Sequence, residues 1–172
     1  MNNTKHVQRL TLAASLASVS IVIDILFKML IQSTSFGVPF YAIPIILGSI
    51  ILGPAYGLGM ALVSDLIGVN FSGQGYLPLF ALSAVAWGVI PGVLIRRRFR
   101  LDLLAVAVFL AYLAATTLNT IAILYYFGRI EALSTLALRL SLVIFNSVII
   151  FYFVKDAYRK LTPFYERFVY QT

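Results

Sequence analysis

The chain has no cysteine, one histidine and one tryptophan, and only 11% of its 172 residues are charged. Without cysteine there is no disulfide, no thiolate nucleophile and no thiolate metal site. The only imidazole, His6, stands among the first residues. Of the six acidic residues, only Asp24 and Asp65 fall within apolar stretches, too few for a clustered-carboxylate metal site or an acid–base pair. No HExxH spacing and no GxxxxGK[ST] loop occurs, so neither a zinc hydrolase nor an ATPase is written here. We therefore expect no enzyme, no cofactor and no metal. Linkers, repeats and low-complexity tracts are also missing, so residues 1–172 are expected to form a single domain.

What remains is apolar. Hydrophobic residues make up 61% of the sequence and its mean hydropathy is +0.96. Soluble domains hold about 45–50% apolar and about 25% charged residues, so the solvent of this chain is a lipid bilayer. The net charge is +7, from thirteen basic and six acidic residues. Ten of the basic ones fall in three clusters: Lys5 and Arg9; Arg96, Arg97, Arg98 and Arg100; and Lys155, Arg159, Lys160 and Arg167. Basic residues resist translocation, so all three are expected on the cytoplasmic side, with both termini inside. The charge suits anionic headgroups, and no nucleic-acid module accompanies it. The apolar run from Leu10 to Ile31 is too long for a signal peptide and is taken as a retained first helix.

The all-α reading has six transmembrane helices. Spans are expected at about Leu10–Ile31, Val38–Leu52, Ala55–Val69, Tyr76–Ile95, Leu101–Tyr126 and Ala132–Val154. Gln32–Ser35 and Asn70–Gly75 form external loops, Gly53-Pro54 breaks the second span from the third, and Arg96–Arg100 is a cytoplasmic turn. From Lys155 the tail is expected as an interfacial amphipathic stub. The second and third spans are short against the ~20 residues a bilayer requires, and fit either a re-entrant pair or two helices in a thinned membrane.

Ionisable groups in hydrocarbon cost about 2.5–3.5 kcal/mol each on insertion scales, so each demands a reason. Asp24, Lys28, Asp65 and Arg139, with Asn119 and Thr120, all fall in the external half, whereas the cytoplasmic half reads as almost purely apolar. This asymmetry predicts an outward-facing polar cavity closed on the inside, and the lack of ionisable groups deeper down argues against an ion-coupled carrier. Two structural alternatives stay open. Asp24 and Lys28, at i and i+4, could simply neutralise each other, and Asp65 and Arg139 could form an ion pair between helices. Aromatics gather in the same region: Phe36, Phe40, Tyr41, Phe71, Tyr76, Phe80, Tyr125, Tyr126 and Phe127. They suit either an interfacial belt or the walls of a flat ligand site. Ala13 and Ala17 have the small-xxx-small spacing of close helix packing, within the chain or against another membrane protein.

The stretch Ile43-Pro44-Ile45-Ile46-Leu47-Gly48, then Leu52-Gly53-Pro54, Gly57, Ala61 and Ser64-Asp65-Leu66-Ile67-Gly68, resembles the signature of substrate-binding S components of energy-coupling factor (ECF) vitamin transporters. Gly75-Tyr76-Leu77-Pro78 with Leu82-Ser83-Ala84 resembles the folate-family version, and Asn119-Thr120 and Arg139-Leu140 match positions typical of it. The resemblance implies a vitamin-capturing subunit that topples in the membrane to deliver its ligand. Its partners would be a transmembrane coupling subunit and two ATPase subunits, with Ala13 and Ala17 facing the coupling subunit. Asp24, Lys28, Asp65, Asn70, Tyr76, Asn119 and Arg139 are the expected substrate-binding residues. Folate is the expected vitamin. Where folate-family members carry an arginine late in the first helix, this chain has Asp24-Ile25-Leu26-Phe27-Lys28, with Lys28 and Arg129 as substitute cations; cobalamin and pantothenate are the alternatives. The competing class is a membrane assembly protein without a ligand.

Overall fold

The structure, a computed structural model, describes residues 2–30, 39–71, 75–95 and 99–170, with side chains placed for 5–29, 39–71, 75–95 and 99–165. Among these the backbone is all-helical: α1 (Asn2–Leu30), α2 (Ala42–Leu52), α3 (Pro54–Asn70), α4 (Pro78–Leu94), α5 (Leu101–Tyr126) and α6 (Arg129–Tyr170). The expected Gln32–Ser35 loop, Phe36, the Ser72–Gln74 part of the next loop, Arg96–Arg98 and the Arg167 side chain lie outside the described residues.

Local chemistry explains the helix ends. Gly53 takes φ +104°, a left-handed conformation that favours glycine, and Pro54 follows at the first position of α3, where its missing N–H costs nothing. Pro78 opens α4 in the same way. At the other turn, Gly128 takes φ +94° and its N–H returns to the Ile123 carbonyl, closing α5. Hydroxyls within the helices are satisfied locally. Thr11, Ser15, Ser18, Thr117, Thr120 and Ser141 each donate to the carbonyl four residues back, as lipid burial requires.

Three helices, α1, α5 and α6, are long and apolar enough to cross a membrane by length and composition. The short ones are the interior ones. Helix α2 has 11 residues, roughly 16 Å at 1.5 Å per residue and about half the hydrocarbon thickness. It starts at Ala42 rather than Val38, and it lies at the centre of the bundle, touching α1, α3, α4 and α6. Ala42, Ile45 and Ile46 are wholly buried. Around it runs the sequence of neighbours α1–α3–α4–α5–α6, with α6 meeting α1 only loosely. That loose seam leaves an apolar groove of about 510 Å³ lined by residues such as Leu16, Phe27, Phe40, Leu47, Phe153 and Leu161.

The expected stub after Val154 is not a separate element. Helix α6 continues unbroken through it for 42 residues, roughly 63 Å, about twice the hydrocarbon thickness. Local pairs favour the continuation: Lys160 meets Asp156 at 2.8 Å, one turn apart, and Phe99 stacks on Tyr158 with centroids 3.8 Å apart.

Close backbone approach sets the packing. A Cβ on Gly57 would collide with the Gly88 carbonyl, and one on Gly88 with the Gly57 carbonyl, so α3 and α4 cross in direct backbone contact. Ser49 of α2 donates to that Gly88 carbonyl. Ala13 and Ala17, both 6% exposed, form a second core patch with Leu16 and with Met60 of α3. Their small side chains therefore bring α1 against α3, the intramolecular one of the two roles open to them. The exposed small residues of this part of α1 are Ala14, Ser15 and Ser18.

Candidate functional site

Lys5, Arg9, Arg100, Lys155, Arg159 and Lys160 mark one end of the bundle, with the start of α1, the Gly53-Pro54 break and the start of α5. The polar groups singled out from the sequence lie toward the other, far end. On α1, the i,i+4 spacing of Asp24 and Lys28 produces an ion pair of 2.6 Å. Lys28 Nζ also donates to the Gly68 carbonyl of α3 at 3.2 Å. Gly68 is required there, since a Cβ would meet the Asp24 carboxylate. The pair is thus neutralised within the protein, as one of its two readings had it.

Asp65 lies one turn before Gly68, with Lys28 and Asp24 as its charged neighbours. Its Oδ2 is buried and has no hydrogen-bond partner among the described residues. The ion pair considered between Asp65 and Arg139 does not form: α3 and α6 do not touch, because α2 stands between them. Among charged groups, Arg139 is influenced by Glu131, two turns away on its own helix.

Helix α6 buries Ala132, Val143, Asn146, Ile150 and Val154, and Arg139 falls on this packed face at helical spacing. It is half-buried and makes no ion pair or hydrogen bond among the described residues. Deeper on the same face, Asn146 donates to the Tyr112 hydroxyl of α5 at 3.0 Å. That bond fixes the antiparallel register, and seven residues further toward the far end on each helix it sets Asn119 level with Arg139. The Asn119 Oδ1 is likewise buried and without a hydrogen-bond partner among the described residues.

Below these groups lies an aromatic floor. The Trp87 indole lies beside the Tyr41 hydroxyl at the start of α2, with Asp24 and Asp65 as that hydroxyl's acidic neighbours. Trp87 meets Tyr112 edge to face, centroids 5.2 Å apart at 82°. Tyr41, Trp87, Tyr112 and Asn146 thus link α2, α4, α5 and α6. Sequence reasoning missed Trp87, Tyr112 and Asn146. A buried asparagine and a lone tryptophan in apolar spans were the available signals. The expectation of an almost purely apolar half toward the basic end is corrected by Asn146, past the middle of α6's apolar stretch, and by the wholly buried Ser49. Each makes a hydrogen bond that offsets part of its cost in lipid.

Other expected residues do not join the cluster. Asn70 is exposed and donates to its own helix at the Leu66 carbonyl, 2.8 Å away, while Tyr76 is exposed before α4. Thr120 bonds back to Thr116. The aromatics divide. Phe71, Tyr76, Tyr125 and Phe127 are exposed, as in an interfacial belt. Tyr41 turns inward to Trp87, and Phe80 stacks on Tyr126 with centroids 6.2 Å apart.

Residues 8–159 match the family described as the ECF transporter, substrate-specific component. No curated protein and no solved structure matches the chain.

Proposed function

The chain belongs to the family of ECF transporter substrate-specific components, and from that premise we propose that it captures a vitamin from outside the cell and delivers it through an ATP-driven energising module. The family consists of transporter subunits rather than enzymes, so this is a multi-pass, membrane-embedded, substrate-binding subunit. The finer reading places the basic end and both termini in the cytoplasm of a prokaryotic plasma membrane. It makes the far end the mouth of the site, leaves ATP hydrolysis to two partner ATPases, and treats the 172 residues as one domain. Folate is the vitamin that the Gly75-Tyr76-Leu77-Pro78 signature favours, with cobalamin and pantothenate as the alternatives.

One observation carries the reading. Arg139, half-buried on a packed helix face, has no hydrogen-bond or ion-pair partner among the described residues and is level in register with Asn119, whose buried Oδ1 is also unpartnered among them. Cations held in a bilayer without a partner mark substrate sites. Purification from cells grown in rich medium should yield protein with a bound vitamin visible in its absorbance spectrum. Arg139→Ala should lose that ligand, weakening vitamin affinity at least tenfold, while still co-purifying with the energising module. A wild-type protein that neither retains nor binds any vitamin would favour the assembly role instead.

Docking to the module is proposed on the exposed face of α1 that carries Ala14 and Ser18. Ala13 and Ala17 serve it from beneath by holding α1 close to α3. Ala14→Trp with Ser18→Trp should abolish co-purification with the module and leave vitamin affinity unchanged.

A further inference from the structure

Between α1 and α6 the loose seam has a definite shape. Leu16, Val19, Ile23 and Phe27 of α1 line one side of the groove, Phe153 and Leu161 of α6 the other, with α2 at its base. Phe40 bridges the two sides at the far end, its ring centroid 5.2 Å from Phe27 and 5.5 Å from Phe153. Phe40 precedes α2, which rises roughly 16 Å from the Gly53-Pro54 break, so this stop falls near the bilayer middle. The α1 lining from Leu16 to Phe27 is also about 16 Å long at 1.5 Å per residue. One leaflet of hydrocarbon is about 15 Å deep, half of the ~30 Å total. The groove, about 510 Å³, therefore matches the depth of a single leaflet.

Its other end opens among cations. Lys5 and Arg9 stand eighteen residues, about five full turns, before Ile23 and Phe27, and so share their face of α1. On α6, Leu161 directly follows Arg159 and Lys160. Among residues with placed side chains, Arg100 pairs with Asp102 and Lys160 with Asp156, which leaves Lys5, Arg9, Lys155 and Arg159 as excess positive charge at this end. The Arg9 Nε is buried without a hydrogen-bond partner among the described residues, and so is the neighbouring Gln8 Oε1. Helical spacing sets this stripe across α1 from Ala14 and Ser18, apart from the face assigned to the energising module.

We propose that the groove is a binding site for one anionic phospholipid, with an acyl chain lying between Leu161 and Phe40 and the phosphate held by Arg9. A guanidinium grips a phosphate through two N–H donors, and the excess cations favour an anionic headgroup over a zwitterionic one. A phospholipid satisfies both ends of the groove together. A soluble anion would leave the apolar part unfilled, and an apolar helix would leave Arg9 unpaired in lipid. Packing of the chain against both helices closes the seam that α1 and α6 leave loose.

Native mass spectrometry of the purified full chain, in detergent micelles doped with phosphatidylglycerol or phosphatidylcholine, tests the site. One phosphatidylglycerol should stay bound per chain, at least tenfold tighter than phosphatidylcholine, and should raise the unfolding temperature. Arg9→Gln should weaken phosphatidylglycerol by about fivefold or more, as loss of one cation at an anionic surface does, and leave phosphatidylcholine unchanged. Val19→Trp, which fills the groove from an exposed position, should expel both lipids although every cation remains. Size-exclusion profiles establish folding, and Leu161→Trp replaces Val19→Trp if that variant aggregates. Inorganic phosphate should not displace the lipid; displacement would reveal a free-anion site and overturn the proposal. Equal retention of the two lipids, unchanged in Arg9→Gln, would also overturn it, as would phosphatidylglycerol binding that survives groove filling. A wild type that retains no lipid, with the energising module lost from Val19→Trp, would make the groove a protein interface instead.

Discussion

A hydrogen bond between two side chains in the middle of a membrane protein decides more than its own energy. The Asn146–Tyr112 bond selects one register of α5 against α6, and that register brings Asn119 level with Arg139. Its strength should be modest, because an unfolded chain in lipid also finds partners for such groups. A double-mutant cycle of Asn146→Leu and Tyr112→Phe is expected to give a coupling of about 0.6–1.7 kcal/mol, read from unfolding in detergent titrations. Either variant should weaken vitamin binding by more than it lowers stability, if the register is what positions Arg139. At this scale the sequence was legible where both partners share a helix: the i,i+4 spacing of Asp24 and Lys28 specified their ion pair before any fold was known. It was not legible across helices. Asp65 and Arg139 are complementary in charge, yet whether they meet depends on which helices are neighbours.

Among the helices, the signature glycines of the second, third and fourth spans act as a packing code. Gly57 and Gly88 allow α3 and α4 to touch backbone to backbone, and Gly68 admits the Asp24–Lys28 pair. Gly57→Ala or Gly88→Ala should lower stability by about 1–3 kcal/mol, since each added methyl meets backbone that cannot yield. Gly59 is the control: it is exposed on the same helix with open space around it. Gly59→Ala should raise stability by up to about 1 kcal/mol through helix propensity alone. Thermal unfolding of the three variants, followed by size-exclusion chromatography, separates close approach from mere conformational preference. Hydropathy located the six helices of the described residues, and α5 has the expected limits of Leu101 and Tyr126. It misjudged α2 and α6, because interior helices need not match the bilayer and a helix leaving the bilayer need not end where its apolar stretch does.

For the molecule as a whole, function turns on which end faces out. Because the chain has no cysteine, single substitutions report topology directly. With Phe71→Cys and Arg100→Cys, both exposed, a membrane-impermeant maleimide should label the first in intact cells and the second only after permeabilisation. The reverse pattern would place the unpartnered groups at the cytoplasmic face and end the capture reading. Orientation also sets what the apolar groove between α1, α2 and α6 meets in the membrane. Its lining among the described residues is apolar, which suits lipid or an apolar partner.

Composition and spacing alone determined that this chain lives in a bilayer and where the six helices of the described residues fall. Those conclusions follow from transfer free energies and helical periodicity, both of which are properties of local sequence. Only the tertiary arrangement decided that α2 is a half-length central post, that Ala13 and Ala17 face α3, and that Asp65 and Arg139 stand on separate walls. Side chains distant in sequence become neighbours, or fail to, through packing among helices that are all apolar, and apolarity by itself cannot say which of them touch.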